Sequence, residues 1–268
     1  MSDHFKSLSQ AMPFLLETED SRSLHFNYLK TQSQMYINMP DMLSLEYTRL
    51  MMGFMLFQRH PQRMLMIGLG GGSLAKFCYR NLINSAITVV EINPAVIELR
   101  DIFNIPPNDE RLSVVLGDGA EFMQTIDGSF NTLLVDGYTA DGIPPELSTQ
   151  SFFDDCARAL SPNGIAVFNF DNYDPNYNAN VEKIGESFGN FPLQVSASKC
   201  ANVAIFACKG DLKLDHATCI TALSLDLKPN VLAPMLPAFN RIRLSYKMQH
   251  GYGIYQWPSD TKKPACGY

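Results

Sequence analysis

Long apolar runs are missing from this sequence. The most apolar stretch, Leu50 to Phe57, is bounded by Arg49 and by Gln58-Arg59. A membrane span needs about 20 such residues, so this stretch predicts a buried helix. Net positive charge is missing too, since the formal balance is −6 at pH 7. A nucleic-acid binder needs a basic face to displace counterions from phosphates, so no nucleic-acid partner is expected. A cationic substrate is tolerated. The N-terminal MSDHFKSLSQAMPFLLETED lacks a basic region followed by a long apolar run. No signal peptide or membrane anchor is expected, and the expected compartment is the cytoplasm.

Metal-ligand spacing is also absent. Cys78, Cys156, Cys200, Cys208, Cys219 and Cys266 form no C-x-x-C, and His4, His25, His60, His216 and His250 are scattered. Reduced core thiols and no metal are expected. Internal repeats and low-complexity tracts are lacking as well. What is present is 46% hydrophobic and 18% charged residues over 268 positions, which suits one large or two small well-packed domains.

From residue 63 the sequence alternates strand and helix. RMLMIG reads as a buried strand, and a helix begins at Ser73. AITVVE is a strand, after which Asn93-Pro94 can open a helix, Asn as cap and Pro in the first turn. LSVVLG is a strand and Ala120 to Ile126 a helix. FNTLLVD is a strand and Ser148 to Leu160 a helix. GIAVFNF is a strand, with a helix near Asn178 to Phe188. This rhythm predicts a parallel sheet covered on both faces. PLQVSASK and NVAIFACK lie too close for a crossover, so they predict a terminal antiparallel hairpin.

A parallel α/β sheet that ends in a β-hairpin resembles the Rossmann-like fold of class I S-adenosylmethionine-dependent transferases. The expected divisions are a small N-terminal β segment (1–46), a nucleoside-binding catalytic domain (47–210), and a C-terminal helix and tail (211–268) packed on it. In the first segment, HFNYLKTQSQMYI and MLSLEY predict two short strands joined by a turn at Asn38-Met39-Pro40-Asp41. In the last, Leu214 to Leu227 predicts a helix, and the tail beyond is left unassigned.

The chemistry is expected at the strand ends. MLMIGLGGGSL puts Gly68, Gly70 and Gly72 between a strand and a helix, where glycine lets the backbone turn sharply and approach a ligand. The spacing is G-x-G-x-G, and the sixth position of a dinucleotide fingerprint is Ser73. Glu91 ends the next strand, 19 residues after Gly72, where a carboxylate can accept from both ribose hydroxyls. Asp118, followed by Gly119 in GDGAEF, ends the third strand. It can accept from an adenine amino group, or it can serve as a helix cap. Asp136 ends the fourth strand, ahead of a Gly- and Pro-rich loop that carries Tyr138 and Asp141.

RMLMIGLGGGSL, VVEINPAVIELR, LSVVLGDGAEFM and FNTLLVDGYTADGIPPELSTQSFF are similar, in order and spacing, to the spermidine synthase (polyamine aminopropyltransferase) family. The likeness spans roughly residues 60–170, and Met66 matches the apolar residue that this family carries two positions before the glycine loop. The resemblance implies a co-substrate, decarboxylated S-adenosylmethionine or S-adenosylmethionine, whose ribose Glu91 holds and whose adenine Asp118 holds. It implies that Asp136 stands beside the reacting amine, that the loop after it closes over the substrate, and that Gln32 or Gln34 lies near the donor's amino-acid end. The partner implied is a small-molecule amine acceptor, and a homodimer is the implied assembly.

The pattern departs from the family's in two places. The family loop reads D-S-x-D-P, whereas Thr139 stands three residues after Asp136 and the next acid is Asp141. The family's acidic D-E-F-x-Y-H-E segment is represented by LSLEYTRLMM, which offers Glu46 and Tyr47. Tyr47, Tyr138 and Asp141 are therefore the acceptor-side candidates. Aminopropyl transfer is the leading expectation. Methyl or other alkyl transfer with a changed acceptor, and non-catalytic nucleoside binding, remain open. A nicotinamide dehydrogenase is disfavoured by Ser73 and by the terminal hairpin.

Overall fold

The structure is a computed structural model that describes residues 12–28, 30–139, 141–214 and 219–251. Its centre is a seven-stranded sheet in the order β6-β5-β4-β7-β8-β10-β9. The strands are β4 (Arg63–Ile67), β5 (Ala86–Glu91), β6 (Leu112–Leu116), β7 (Phe130–Val135), β8 (Leu160–Asp171), β9 (Leu193–Ser196) and β10 (Asn202–Cys208). The first five run parallel, while β10 pairs antiparallel with β8 and with β9. The expected parallel sheet and terminal hairpin are therefore both present.

Alternation along the strands divides the core in two. On β4, Met64 and Met66 face one layer while Leu65 and Ile67 face the other. On β10, Ala204 and Phe206 join the first layer and Val203, Ile205 and Ala207 the second. Both faces of a parallel sheet must be covered, which is why these strands read as nearly continuous apolar runs.

The covering helices begin where the side chains permit. Helix α1 (Glu46–Met51) runs on into a 3-10 turn, Met52–Leu56, so the expected buried helix is present in two pieces. Helix α2 (Ser73–Asn81) follows the glycine loop. The Asn93 side chain accepts from the Ala95 N–H and caps α3 (Pro94–Glu98). Asp118 caps α4 (Gly119–Gln124) and Thr149 caps α5 (Gln150–Ala159). Ser148, the expected start of α5, ends a preceding 3-10 turn. Helix α6 (Tyr177–Phe188) lies close to its expected place. Cys78, Cys156 and Cys208 are buried thiols, whereas Cys200 is exposed in the β9–β10 loop.

The N-terminal segment differs from expectation. It forms a three-stranded antiparallel sheet of β1 (Phe14–Glu17), β2 (Ser21–Asn27) and β3 (Lys30–Tyr36). HFNYLKTQSQMYI is thus split between two strands, because Asn27 Oδ1 takes the Lys30 N–H at 3.0 Å and turns the chain there. MLSLEY is not a strand: Glu46 and Tyr47 already belong to α1.

The C-terminal segment is more helical than expected. Of the expected helix at Leu214 to Leu227, α7 covers Cys219–Asp226, and residues 215–218 lie outside the described residues. Two further helices follow, α8 (Pro229–Leu232) and α9 (Leu236–Gly251). Ala238, Phe239 and Ile242 of α9 are buried in the first core layer. No helix among the described residues is long and apolar enough to cross a membrane.

Candidate active site

The strand order reverses between β4 and β7. Open α/β sheets bind ligands at the carboxyl ends of strands beside such a reversal. A cavity of about 310 Å³ lies there, with Gly68, Glu91, Asp118 and Asp136 in its wall, one from each of four adjacent strand ends.

Gly68 has φ +95°, and a Cβ on it would run into the Asp136 backbone carbonyl oxygen. Only glycine lets β4 and β7 approach this closely at their ends. Gly70, with φ +51°, lines the cavity, whereas Gly72 lies off its wall as the cap of α2 and packs toward Ile105. Glu91 is buried at 8% exposure. Its Oε2 accepts from the Leu69 N–H and its Oε1 from the Asn93 N–H, each at 2.8 Å. Burial pushes its carboxyl pKa up, and these N–H groups, with those of Gly70 and Ile92, pull against that rise. Glu91 therefore ties the glycine loop to β5 as well as facing the cavity. Asp118 uses Oδ1 to cap α4, accepting from Ala120 at 2.7 Å and Glu121 at 3.2 Å. The cap and the cavity wall are thus served by one residue, and Gly119 lines the wall beside it.

Asp136 follows β7 directly, and both of its oxygens are held. Asn169 Nδ2 donates to Oδ1 at 2.7 Å, and the Tyr47 hydroxyl donates to Oδ2 at 3.1 Å. Asn169 lies on β8, 4% exposed, and its own oxygen accepts from Asn202 Nδ2 at 3.0 Å. That bond sets the amide orientation, so a donor faces Asp136. Burial raises the Asp136 pKa, against the opposing pull of Asn169 and Tyr47. Burial and the neighbouring Asp136 charge raise the Tyr47 pKa, which keeps its hydroxyl protonated as a donor. Tyr138 lines the same half, and its buried hydroxyl has no well-formed hydrogen bond.

The remaining candidates lie elsewhere. Thr139 and Gly142 bond backbone to backbone across a tight turn, which leaves Asp141 exposed and away from the cavity wall. Gln34 bonds to Ser21 and Ser44 and is not in the wall, whereas Gln32 is. Glu46 turns away to the Ser198 and Lys199 N–H groups and to Arg241.

The Spermine/spermidine synthase domain matches residues 44–195. A polyamine aminopropyltransferase of Chromobacterium violaceum is 38% identical over 201 residues, covering 74% of this chain and 77% of the relative. The chain belongs to the spermine/spermidine synthase family. Among solved structures it is similar to a probable spermidine synthase from Corynebacterium glutamicum, with a TM-score of 0.66 at 19% identity over 81% of this chain and 84% of that one. It is also similar to human Methyltransferase-like protein 13, with a TM-score of 0.57 at 19% identity over 82% of this chain and 98% of that one. Likeness at that identity concerns the fold.

In this synthase-family chain, sequence reasoning missed Asn169 and Asn202. Both carried a signal: an amide inside the apolar run GIAVFNF, and another at the first position of NVAIFAC. A buried amide must find partners, and here the partners are each other and Asp136.

Proposed function

We propose that this protein transfers an aminopropyl group from decarboxylated S-adenosylmethionine to a small amine, releasing methylthioadenosine. One observation carries the reading: an acid at the sheet's reversal point, held through both oxygens by Asn169 and Tyr47, on a cavity shared with Glu91 and Asp118. The family membership supports it.

An amine at neutral pH is protonated and has no free lone pair. Asp136 takes the proton and orients the nitrogen, and burial brings its pKa nearer the working pH, where a general base is most effective. The nitrogen lone pair attacks the methylene carbon bonded to the sulfonium. The C–N bond forms as the C–S bond breaks, and the bonding electrons return to sulfur, leaving a neutral thioether. Asn169 and Tyr47 keep the carboxylate from rotating, and much of the rate comes from holding the two reactants in line. Glu91 and Asp118 suit the donor's ribose and adenine, and Gly68 and Gly70 let the backbone approach the donor closely. Gly137, Tyr138 and Leu147, from the segment after Asp136, help wall the site and exclude water from the reactive donor.

The test is titration calorimetry with both donors. The decarboxylated donor should bind more tightly. Intact S-adenosylmethionine binding tenfold more tightly, about 1.4 kcal/mol, would contradict the reading. Asp136→Asn should abolish turnover and leave donor affinity within about threefold. Equal loss of both would make Asp136 a binding or structural residue.

A further inference from the structure

Glu46, the neighbour of Tyr47, is the first residue of α1, and no side chain caps that helix start. Its carboxylate is held from outside the helix instead. Oε1 accepts from the Ser198 N–H at 2.9 Å, from the Ser198 hydroxyl at 2.8 Å and from Arg241 Nη1 at 2.5 Å. Oε2 accepts from the Lys199 N–H at 3.0 Å. The Glu46 side chain is 15% exposed and that of Arg241 30% exposed, so this pair is better shielded from water than a surface ion pair.

The four donors come from two elements far away in sequence. Ser198 and Lys199 lie in the loop between β9 and β10. Arg241 lies on α9, and its Nη1 also donates to the Ser196 carbonyl at 3.4 Å. The next residue of α9, Ile242, packs so closely on Gly53 of the 3-10 turn after α1 that a Cβ there would collide with it. Helix α9 is thus seated on the far end of the α1 segment and bonded to its start.

This clamp sits one residue from a partner of Asp136. The Tyr47 hydroxyl donates to Asp136 Oδ2 at 3.1 Å, which is long for an O–H donor, so a small shift of α1 weakens it. The titratable groups that face this hydroxyl are Asp136, Tyr138 and Cys200, the last from the clamped loop itself. Ala201 and Asn202, next in that loop, line the cavity, whereas Glu46 and Arg241 do not.

We propose that Arg241 is a positioning residue: through Glu46 it fixes the start of α1 and so keeps the Tyr47 hydroxyl on Asp136. It touches neither reactant, and it gives the C-terminal helix a share in catalysis. The inference rests on the aminopropyl-transfer reading above.

The experiment follows methylthioadenosine release by the whole chain at saturating decarboxylated donor, with kcat/KM for 1,4-diaminobutane measured across pH. Arg241→Met should lower kcat/KM on the acidic limb by about threefold, half of the Tyr47 hydroxyl's roughly tenfold effect on a logarithmic scale, and leave the alkaline plateau unchanged. In a Tyr47→Phe background the same substitution should cost nothing further, because the bond it supports is already gone. Melting curves confirm that each variant is folded at the assay temperature. Should Arg241→Met not fold, Glu46→Gln is read the same way, since it removes the charge that Arg241 pairs with. A loss that is uniform across pH, a loss repeated in full in the Tyr47→Phe background, or no loss at all overturns the inference and leaves the activity standing. No methylthioadenosine from the wild type overturns the activity and the inference together.

Discussion

Tyr47→Phe keeps the ring and removes the hydroxyl, which bonds Asp136 and, at a longer 3.4 Å, the Gln32 backbone carbonyl. That hydroxyl donates to Asp136 Oδ2 at 3.1 Å. A hydrogen bond to a charged group contributes about 1.5–3 kcal/mol, and 3.1 Å is long for an O–H donor, so the lower end applies. About 1.5 kcal/mol is roughly tenfold in an equilibrium between protonated and ionised carboxyl. Burial raises the Asp136 pKa, and Tyr47 and Asn169 counter the rise. Removing Tyr47 therefore raises it further. The base is active when ionised, so the acidic limb of kcat/KM should move to higher pH, and on that limb Tyr47→Phe should fall about tenfold below wild type. Near the alkaline plateau the gap should narrow. The assay is methylthioadenosine release at saturating donor, with kcat/KM for the amine followed across pH. Superimposed profiles would refute the reasoning. A uniform loss at every pH would show that Tyr47 binds substrate and does not tune Asp136.

Gly68→Ala should destabilise the fold by at least about 1–2 kcal/mol, since φ is +95° and the new Cβ meets the Asp136 carbonyl; urea unfolding with a loss below about 0.5 kcal/mol would contradict this. Glu46→Gln should lower the melting temperature at neutral pH. Burial alone would raise the Glu46 pKa, but Arg241, Ser198 and Lys199 together hold it at about 2, down from an ordinary 4.5. A depressed folded-state pKa contributes stability that is present above the unfolded value and lost as pH falls through the folded one. The melting gap between wild type and Glu46→Gln should therefore close between about pH 4.5 and 2, and a gap that is absent at pH 7 or constant across that range would contradict the assignment.

The part of the cavity wall at the sheet's edge was legible because each of its residues ends a strand. Glycines after RMLMI, Glu91 after AITVV, Asp118 after LSVVL and Asp136 after FNTLLV stand out where an apolar run stops, and parallel strands bring such ends to one edge. The rest of the cavity wall was only partly legible, because its residues come from separate parts of the chain: Tyr47 and Tyr138 were candidates, whereas Asn169 was not. Asn169 and Asp171 sit at alternate positions of one strand, Tyr47 opens a helix, and Lys30 follows a turn within what reads as one strand. Only the fold brings them together. Asp141 was a candidate as the next acid after Asp136 in the family-like loop, although its spacing departs from the family's, and it is exposed and off the cavity wall. Helix α9 fell in the Pro-, Tyr- and Gly-rich tail left unassigned, yet proline suits the first turn of a helix and Pro237 is its second residue.

The most direct test of the central claim is product analysis by chromatography after incubating the protein with a small amine and each donor separately. The account predicts amine-dependent release of methylthioadenosine from decarboxylated S-adenosylmethionine, and none from Asp136→Asn. Release of S-adenosylhomocysteine from intact S-adenosylmethionine, with no methylthioadenosine from the decarboxylated donor, would contradict it.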